Sequence, residues 1–481
     1  MIPLVPLTRA AAVEGLFHFL LLPLCALDAV LRALKKVRTL SLGRAPPEAA
    51  KRLHGTRPTV LIVGASFAGL YCQRALSDEF DVTLVDRKDY YEYTPGVLRV
   101  LAHPRHLRNI VGPLPRTRNR FLHAEVLEAG PSHVRVRHAT TGGEETLGFD
   151  FLLLGLGSSY AAPIKPAAAD ATLDARERTW DAAAAAAAAA QSAVVVGGGP
   201  VGVELAAELA ERHPHAKLTL VSGSAALCRG MPARVGAHCE RWLSRRGVRV
   251  VLGARVAHVD HGDAREADSA SCTLADGSVL RADVVYECTG GRAETAALEG
   301  NFGGQLDARG RLLVNEQLQL GSSSRVYAMG DCMHHRASDE AKLGHTAELN
   351  AHVVAENVRR QRRGEPLLAY PHGAVGPLGR SPRIFCVSLG KHDGALAFNS
   401  LVLTGVLPAV AKRLIEWTKV AAMAERPAGV LFWTIADWLA VALTRTLLPL
   451  PPAAEAAEER APPAPAPEAA EEGALPAAAL V

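Results

Sequence analysis

A chain of 481 residues with 49% apolar and 21% charged residues can bury sizeable cores, so it reads as two or three folded domains and not as a disordered polymer. The net charge of +4 is small for this length, and no Lys/Arg block alternates with aromatics, so no nucleic-acid partner is expected. Eight cysteines lie scattered at Cys25, Cys72, Cys228, Cys239, Cys272, Cys288, Cys332 and Cys386 with no CxxC and no ligand spacing to a histidine; they read as reduced packing thiols, and no metal site is expected.

At the N-terminus, residues 16–27 (LFHFLLLPLCAL) form an apolar run between Glu14 and Asp28, interrupted by Pro23. A helix needs about 20 apolar residues to cross a bilayer core, so this run is expected to be too short to span. Lys35, Lys36, Arg38 and Arg44 follow it and suit a segment lying in a membrane interface, held by anionic lipid. A cleaved targeting sequence is the competing reading, although Glu14 and the single early Arg9 fit a mitochondrial presequence poorly. Residues 1–57 are therefore read as a membrane-associating or targeting segment.

Next comes TVLIVGASFAGLYCQRAL, residues 59–76, a short β-branched run followed by a helical pattern. Gly64, Ser66 and Gly69 stand where a dinucleotide fingerprint has its three glycines. Serine in the middle still leaves a small side chain where backbone must approach a pyrophosphate, and the helix N-terminus supplies amide donors and a favourable dipole. A second strand, DVTLVD, ends at Asp86, where an acid that binds a ribose hydroxyl is expected.

The alanine run at 182–190 predicts a helix leading into a second fingerprint, AVVVGGGPVGVELAAEL at 193–209, with Gly197, Gly199 and Gly202 in place. Its following strand ends in Ser222 instead of an acid, and Arg229 comes a few residues later. Without a carboxylate to hold the 2′-hydroxyl, a 2′-phosphate should be poorly excluded, so NADPH is expected to be accepted alongside NADH. The alternative is that Arg229 is a solvated surface residue and another loop carries selectivity.

Toward the C-terminus, residues 429–450 (GVLFWTIADWLAVALTRTLLPL) set Trp433 and Trp438 among aliphatics with only Asp437 and Arg445 charged. Tryptophan favours the membrane interface. Two apolar segments on one chain favour membrane attachment over a packed C-terminal helix. Beyond Pro451 the chain is Ala, Pro and Glu and should be a disordered tail.

SSRVYAMGDCM at 323–333 ends in Gly330 and Asp331 and resembles the second FAD motif of two-dinucleotide flavoprotein oxidoreductases, whose aspartate accepts a bond from the ribityl chain. LLLGLGSS at 152–159 and VVYECTGGR at 284–292 resemble the same family's two crossover strands. The resemblance implies an α/β fold of two Rossmann-like domains: FAD domain at 58–165 and 289–370, inserted NAD(P)H domain at 166–288, a C-terminal membrane-facing region at 371–450 and the tail at 451–481. FAD is expected on the first glycine loop and NADH or NADPH on the second. Disulfide reductases of this kind carry a cysteine pair near the flavin, and the first helix here offers only Cys72.

Over roughly residues 58–437 the chain most resembles the type II NADH dehydrogenases and, more closely, the ferroptosis-suppressor and apoptosis-inducing-factor-like quinone reductases. The resemblance implies hydride transfer from NAD(P)H to FAD and two electrons to a membrane quinone. Glu204, in GVELAAEL, corresponds to the acid near nicotinamide and flavin; its competing role is compensation of a helix dipole, worth about 0.3–1 kcal/mol. Lys342 corresponds to a lysine beside the flavin, on a helix at 342–358 that aims its N-terminus at the isoalloxazine; a solvated lysine is the other reading. Glu348 is counted with the cofactor-facing residues, although it and Asn350 depart from the glutamine-rich quinone motif of the type II dehydrogenases. FCVSLGKHDGALAFN at 385–399 resembles the strand pair that opens the family's C-terminal region, before amphipathic helices such as residues 411–426.

His334 and His335 are read as structural, and calcium control has no basis. The expected partners are a membrane quinone and a membrane surface, with a homodimer left open. The expected location is intracellular and membrane-associated, peripheral or monotopic, with the mitochondrion one candidate organelle. Two alternatives remain: a soluble reductase of an iron–sulfur protein or ascorbyl radical, and a redox-signalling protein like apoptosis-inducing factor.

Overall fold

The structure, a computed structural model, describes residues 8–41, 57–114, 119–262, 269–321, 323–335, 340–371 and 382–446. The expected tail beyond Pro451 and Arg44 lie outside these residues, as do the side chains of Lys35, Lys36, Arg38 and Arg445. The first element among the described residues is helix α1 (Arg9–Ser41), which contains Pro23. Proline removes one backbone donor and crowds the carbonyl four residues back, at about 3 kcal/mol, but long helical flanks on both sides carry the helix past it. Arg9–Leu34 makes a 26-residue stretch long and apolar enough to cross a membrane, which corrects the expectation of a run too short to span.

Strand β1 (Thr59–Val63), helix α2 (Phe67–Leu76) and strand β2 (Asp81–Asp86) form the first β-α-β unit. β1 is buried at four of its five positions, as a strand covered on both faces must be. β3 (Arg120–Ala129) extends the sheet in parallel, and β4 (His133–His138) and β5 (Glu144–Gly148) continue it as an antiparallel meander. β6 (Phe151–Leu154) pairs in parallel with β1 on its other side. A short strand β7 (Ser158–Ser159) then leads out of this sheet.

Helix α3 (Leu173–Ala189) crosses to the second unit, its N-terminus capped by Thr172 Oγ1, which accepts from Ala175 N–H at 3.3 Å. Arg176 fixes it in place. Fully buried, this residue donates to both oxygens of Glu92 at 2.7 and 3.0 Å, reaches Asp170 at 3.3 Å and stacks 4.8 Å from the Trp180 ring. β8 (Ser192–Val196), α4 (Pro200–Arg212), β9 (Lys217–Val221), β10 (Arg249–Val251) and β11 (Val284–Glu287) make a parallel four-stranded sheet in the order β10-β9-β8-β11. The chain returns through β12 (Arg292–Ala293), which pairs antiparallel with β7; the two crossover segments lie side by side.

β13 (Val326–Ala328) joins the first sheet beside β6, completing seven strands in the order β13-β6-β1-β2-β3-β4-β5. Helix α5 (Gly344–Arg363) packs on α2 and starts after Lys342, not at it. The C-terminal region holds β14 (Ile384–Leu389), β15 (Asp393–Phe398) and a third strand not anticipated from sequence, β16 (Leu401–Thr404), all antiparallel. Helices α6 (Val406–Met423) and α7 (Pro427–Thr446) follow.

α1 docks on these last helices. Val13 and Phe17 pack with Ala409 and Val410. Arg9 pairs with Asp393 and Arg413 with Glu14, each at 2.7 Å, while the buried Asp28 accepts from Ala428 N–H at 3.3 Å. The other side of the assembly stays apolar and open: Phe19 is 73% exposed, Leu22 67% and Trp438 69%.

Candidate functional site

The first glycine loop closes the β1–α2 turn. Gly64 has φ +103°, and a Cβ on Gly69 would collide with the Gly64 carbonyl, so helix and turn touch backbone to backbone. Ser66 is the N-cap of α2 but makes no side-chain cap bond, which leaves the first-turn amides of this helix for another acceptor. Asp86 lies over the loop: Oδ2 accepts from Ala65 N–H at 2.6 Å and Oδ1 from Lys88 N–H at 2.8 Å.

Asp331 sits in a tight turn after β13. Its Oδ2 accepts from Ser158 Oγ at 2.6 Å and from Lys165 Nζ at 3.2 Å, so the turn is tied to the crossover strand β7. Gly330 has φ +74° and its N–H donates to Asn350 Oδ1 at 3.0 Å. Lys342 Nζ donates to the Gly330 carbonyl at 3.2 Å and pairs with Glu340 at 3.5 Å. Lys342 therefore braces the Gly330 turn. Phe67 of the first loop meets both Tyr93, edge-on at 5.9 Å, and Gly344 at the start of α5, where an added Cβ would lie 3.0 Å from its ring.

The second loop has the same build with one difference. Gly197 has φ +124°, with Cys288 O 2.7 Å from any Cβ added there, and a Cβ on Gly202 would collide with the Gly197 carbonyl. Gly199, by contrast, has φ −72° and an added Cβ would meet nothing within 4 Å. Beside this loop lies a cleft of about 430 Å³ lined by Gly197, Gly223, Arg255, His258, Glu287 and Thr289. Ser222 is buried at its edge, its Oγ accepting from Ser224 N–H at 3.1 Å. Arg255, not Arg229, reaches the cleft wall; Arg229 is exposed on the loop that precedes Gly230.

Glu204 does more than face a helix dipole. Its Oε1 accepts from Ser388 N–H at 2.8 Å, Ser388 Oγ at 3.1 Å and Lys412 Nζ at 2.9 Å, which bonds α4, at its fifth residue, to β14 and α6. Burial, the largest influence, lowers the Lys412 pKa, but the Glu204 carboxylate, Cys386 and Glu416 together outweigh burial and hold the ammonium above its ordinary value. Lys412 was invisible in the sequence: it lies 208 positions from Glu204, on an amphipathic helix where lysine reads as a solvated face. Next to this pair, Glu208 accepts from Arg99 at 2.9 Å and Glu416 lies 3.3 Å from His106.

Glu348 is paired with Lys419 of α6. Cys72 is fully buried, its thiol against Met329 Sδ and the Ala351 carbonyl, and burial pushes its pKa far up. Such a thiol is not a redox nucleophile. Among the described residues no group of three His, Cys, Asp or Glu side chains could hold a metal ion.

These features fit two dinucleotides. Each loop presents an uncapped helix N-terminus, and at Gly199 backbone alone borders open space, where a pyrophosphate could approach.

Comparison with known proteins agrees with this geometry. Residues 58–351 match the family model described as pyridine nucleotide-disulphide oxidoreductase. The chain is 29% identical over 358 residues to ferroptosis suppressor protein 1 of Xenopus tropicalis, covering 73% of this chain and 92% of that protein. In fold it is similar to the sulfide:quinone oxidoreductase of Aquifex aeolicus, with TM-score 0.62, 16% identity and coverage of 81% and 95%. It is similar also to NDH2 of Plasmodium falciparum in complex with NADH, with TM-score 0.59, 13% identity and coverage of 81% and 99%.

Proposed function

The chain belongs to the pyridine nucleotide-disulphide oxidoreductase family, and on that premise we propose that it is an FAD-dependent NAD(P)H:quinone oxidoreductase working at a membrane surface. The FAD domain comprises 58–165 and 289–370, with FAD held by Gly64, Ser66, Gly69, Asp86, Gly330 and Asp331. The inserted domain at 166–288 takes NADH or NADPH on Gly197, Gly199 and Gly202, with Ser222 and Arg255 at the ribose end. Bound FAD supplies acceptance of a hydride from the nicotinamide and delivery of two electrons to an acceptor.

The residues of the chain position and polarise. The amides at the start of α2 and α4 bind the two pyrophosphates. Glu204 and Lys412 tie the nucleotide-binding helix to the C-terminal helices and keep its N-terminal half in one place. Lys342 and Asn350 hold the Gly330 turn. Electrons have no buried disulfide to enter, because the first helix carries Cys72 alone.

One observation carries the reading: the bond from Glu204 to Lys412 joins the helix that follows the second glycine loop to helices whose outer residues, with those of α1, are apolar and exposed. An exposed set containing Phe19, Leu22, Ile435 and Trp438 suits insertion into a lipid interface, and a lipid-dissolved quinone would then meet the site without crossing water. The similarity to a sulfide:quinone oxidoreductase supports the acceptor class.

The test is a stopped-flow experiment on FAD-loaded protein. The flavin is bleached anaerobically with NADH or NADPH and then mixed with a short-chain ubiquinone. Reoxidation much faster than by oxygen is expected; fast bleaching with sluggish reoxidation by every quinone would overturn the reading in favour of a protein acceptor.

A second expectation concerns the nucleotide. A charge-assisted bond from Arg255 to a 2′-phosphate is worth about 1.5–3 kcal/mol, so Arg255→Ala should raise the KM for NADPH by about tenfold or more and leave that for NADH within about twofold. If Arg229→Ala produces that change and Arg255→Ala does not, selectivity belongs to the loop after β9.

A further inference from the structure

Four ionisable side chains meet beneath the C-terminal helices: His345 and Glu348 of α5, Lys419 of α6 and Asp437 of α7. Lys419, 5% exposed, pairs with Glu348 and lies 3.4 Å from the centre of the Trp433 ring. Two carboxylates share one ammonium, and Glu348 takes it. Asp437 is the acid left over, and burial, opposed by Lys419 and assisted by Glu348, lifts its pKa to about 6. Its Oδ1 lies 3.8 Å from His345 Nδ1. Burial and then Lys419 lower His345 to about 4, so the imidazole is neutral at physiological pH. Its Nε2 is buried and has no hydrogen-bond partner among the described residues.

A histidine with a carboxyl group at one ring nitrogen and nothing at the other is built to hold a proton and pass it on. His345 directly follows Gly344, the residue in contact with Phe67 of the first glycine loop. Asp437 keeps 37% of its side chain open. We infer that Asp437 and His345 are a proton relay that hands the reduced quinone the one proton the reaction must draw from solution. The inference rests on the quinone-reductase reading.

The balance is NAD(P)H + H⁺ + quinone → NAD(P)⁺ + hydroquinone. The hydride brings two electrons and one proton, and the second proton comes from water. As negative charge develops on the quinone oxygen, the Nε2–H bond breaks and an O–H bond forms; the Asp437 O–H bond breaks and Nδ1–H forms. After release of hydroquinone, the imidazole turns over so that its N–H again faces the acceptor, and Asp437, the partner open to water, takes the replacement proton from solvent. The gap of 3.8 Å must close when the acceptor docks, as catalytic bonds commonly do on ligand binding.

The groups facing Asp437 are His345 and Glu348 on α5, Lys419 on α6 and Tyr71 on α2, whose hydroxyl bonds His352 Nδ1 at 3.0 Å; α1 contributes the Asp28–Arg32 pair near the start of α7. Of the facing groups, Tyr71 is pushed up to about 12 by burial and cannot serve as the acid near neutrality.

The experiment is reoxidation by a short-chain ubiquinone of full-length, FAD-loaded protein, pre-reduced with NADH, between about pH 5 and pH 8. The wild-type rate should fall as pH rises through about 6, because the relay needs protonated Asp437. Asp437→Asn should lose this break and be slower by about tenfold or more at the acid end, converging with wild type at the alkaline end, with bleaching by NADH unchanged. Asp437→Glu should restore the break. Independently of turnover, the ¹⁵N signal of His345, identified by its absence in His345→Gln, should titrate near pH 6 in wild type and not in Asp437→Asn. A variant that keeps the break, or that is slowed equally at every pH, overturns the relay. Wild-type protein that quinone does not reoxidise overturns the quinone reading as well, whereas the ¹⁵N titration separately tests whether the two side chains are coupled.

Discussion

Gly199→Leu folds, keeps its flavin and is bleached by NAD(P)H at least about a hundredfold more slowly than wild type. The expectation rests on the contrast among three glycines that look alike in sequence. Gly199 has an extended backbone at φ −72° that any residue adopts, and a side chain there meets nothing within 4 Å; it fills only the space beside the loop. Stability should therefore change by no more than about 0.5 kcal/mol, as at an open surface position. Gly202→Val is the opposite case, because its Cβ would strike the Gly197 carbonyl and force strand and helix apart. That variant should lose stability as well as nucleotide. Absorbance at the flavin band during anaerobic mixing measures the first, and dithionite confirms that the bound flavin is still reducible. Rapid bleaching of Gly199→Leu by NADH would refute the placement of the nicotinamide nucleotide on this loop.

The second large effect belongs to Lys412. Lys412→Met leaves the Glu204 carboxylate buried with Ser388 as its remaining partner, and breaking a buried pair from one side costs about 3–5 kcal/mol. The urea midpoint should fall accordingly, and flavin reduction should slow by about tenfold or more as the N-terminal half of α4 loosens. Removing both charges separates the two consequences: Glu204→Gln with Lys412→Met should regain most of the stability while flavin reduction stays slow. The pH dependence has a fixed sign. Folding raises the Lys412 pKa, so the pair's contribution is fully present below the unfolded value near 10.5 and fades as pH climbs through the higher folded value. A single variant as stable as wild type would sink the account.

The parts of this fold written locally were readable in advance. Each glycine loop announces itself within twenty residues, since a β-branched run, small residues at the turn and a helical pattern must all coincide for backbone to touch backbone. The paired crossovers β7 and β12 and the first two C-terminal strands lie on stretches singled out by family resemblance. What escaped was set by tertiary contact. Lys412 and Lys419 sit on a helix whose charges look solvent-facing until β14 and α5 cover them. Arg255 reaches the cleft because β10 ends beside β9, whereas Arg229 is nearer to Ser222 along the chain but not on the cleft wall. The first apolar segment reads as too short in sequence because the run is bounded at Glu14 and Asp28, whereas the helix continues past both and takes in Pro23 within its 33 residues.

The docking of α1 has a bearing on how the molecule is made. Asp28 bonds to Ala428, 400 positions later, and the apolar partners of Val13 and Phe17 are Ala409 and Val410. At a ribosomal rate of about 5–20 residues per second, the first helix emerges roughly 20–80 s before anything it packs on exists. Throughout that interval the flank bearing Val13 and Phe17 has none of its native partners. The N-terminal helix is thus completed before either nucleotide-binding unit has been synthesised.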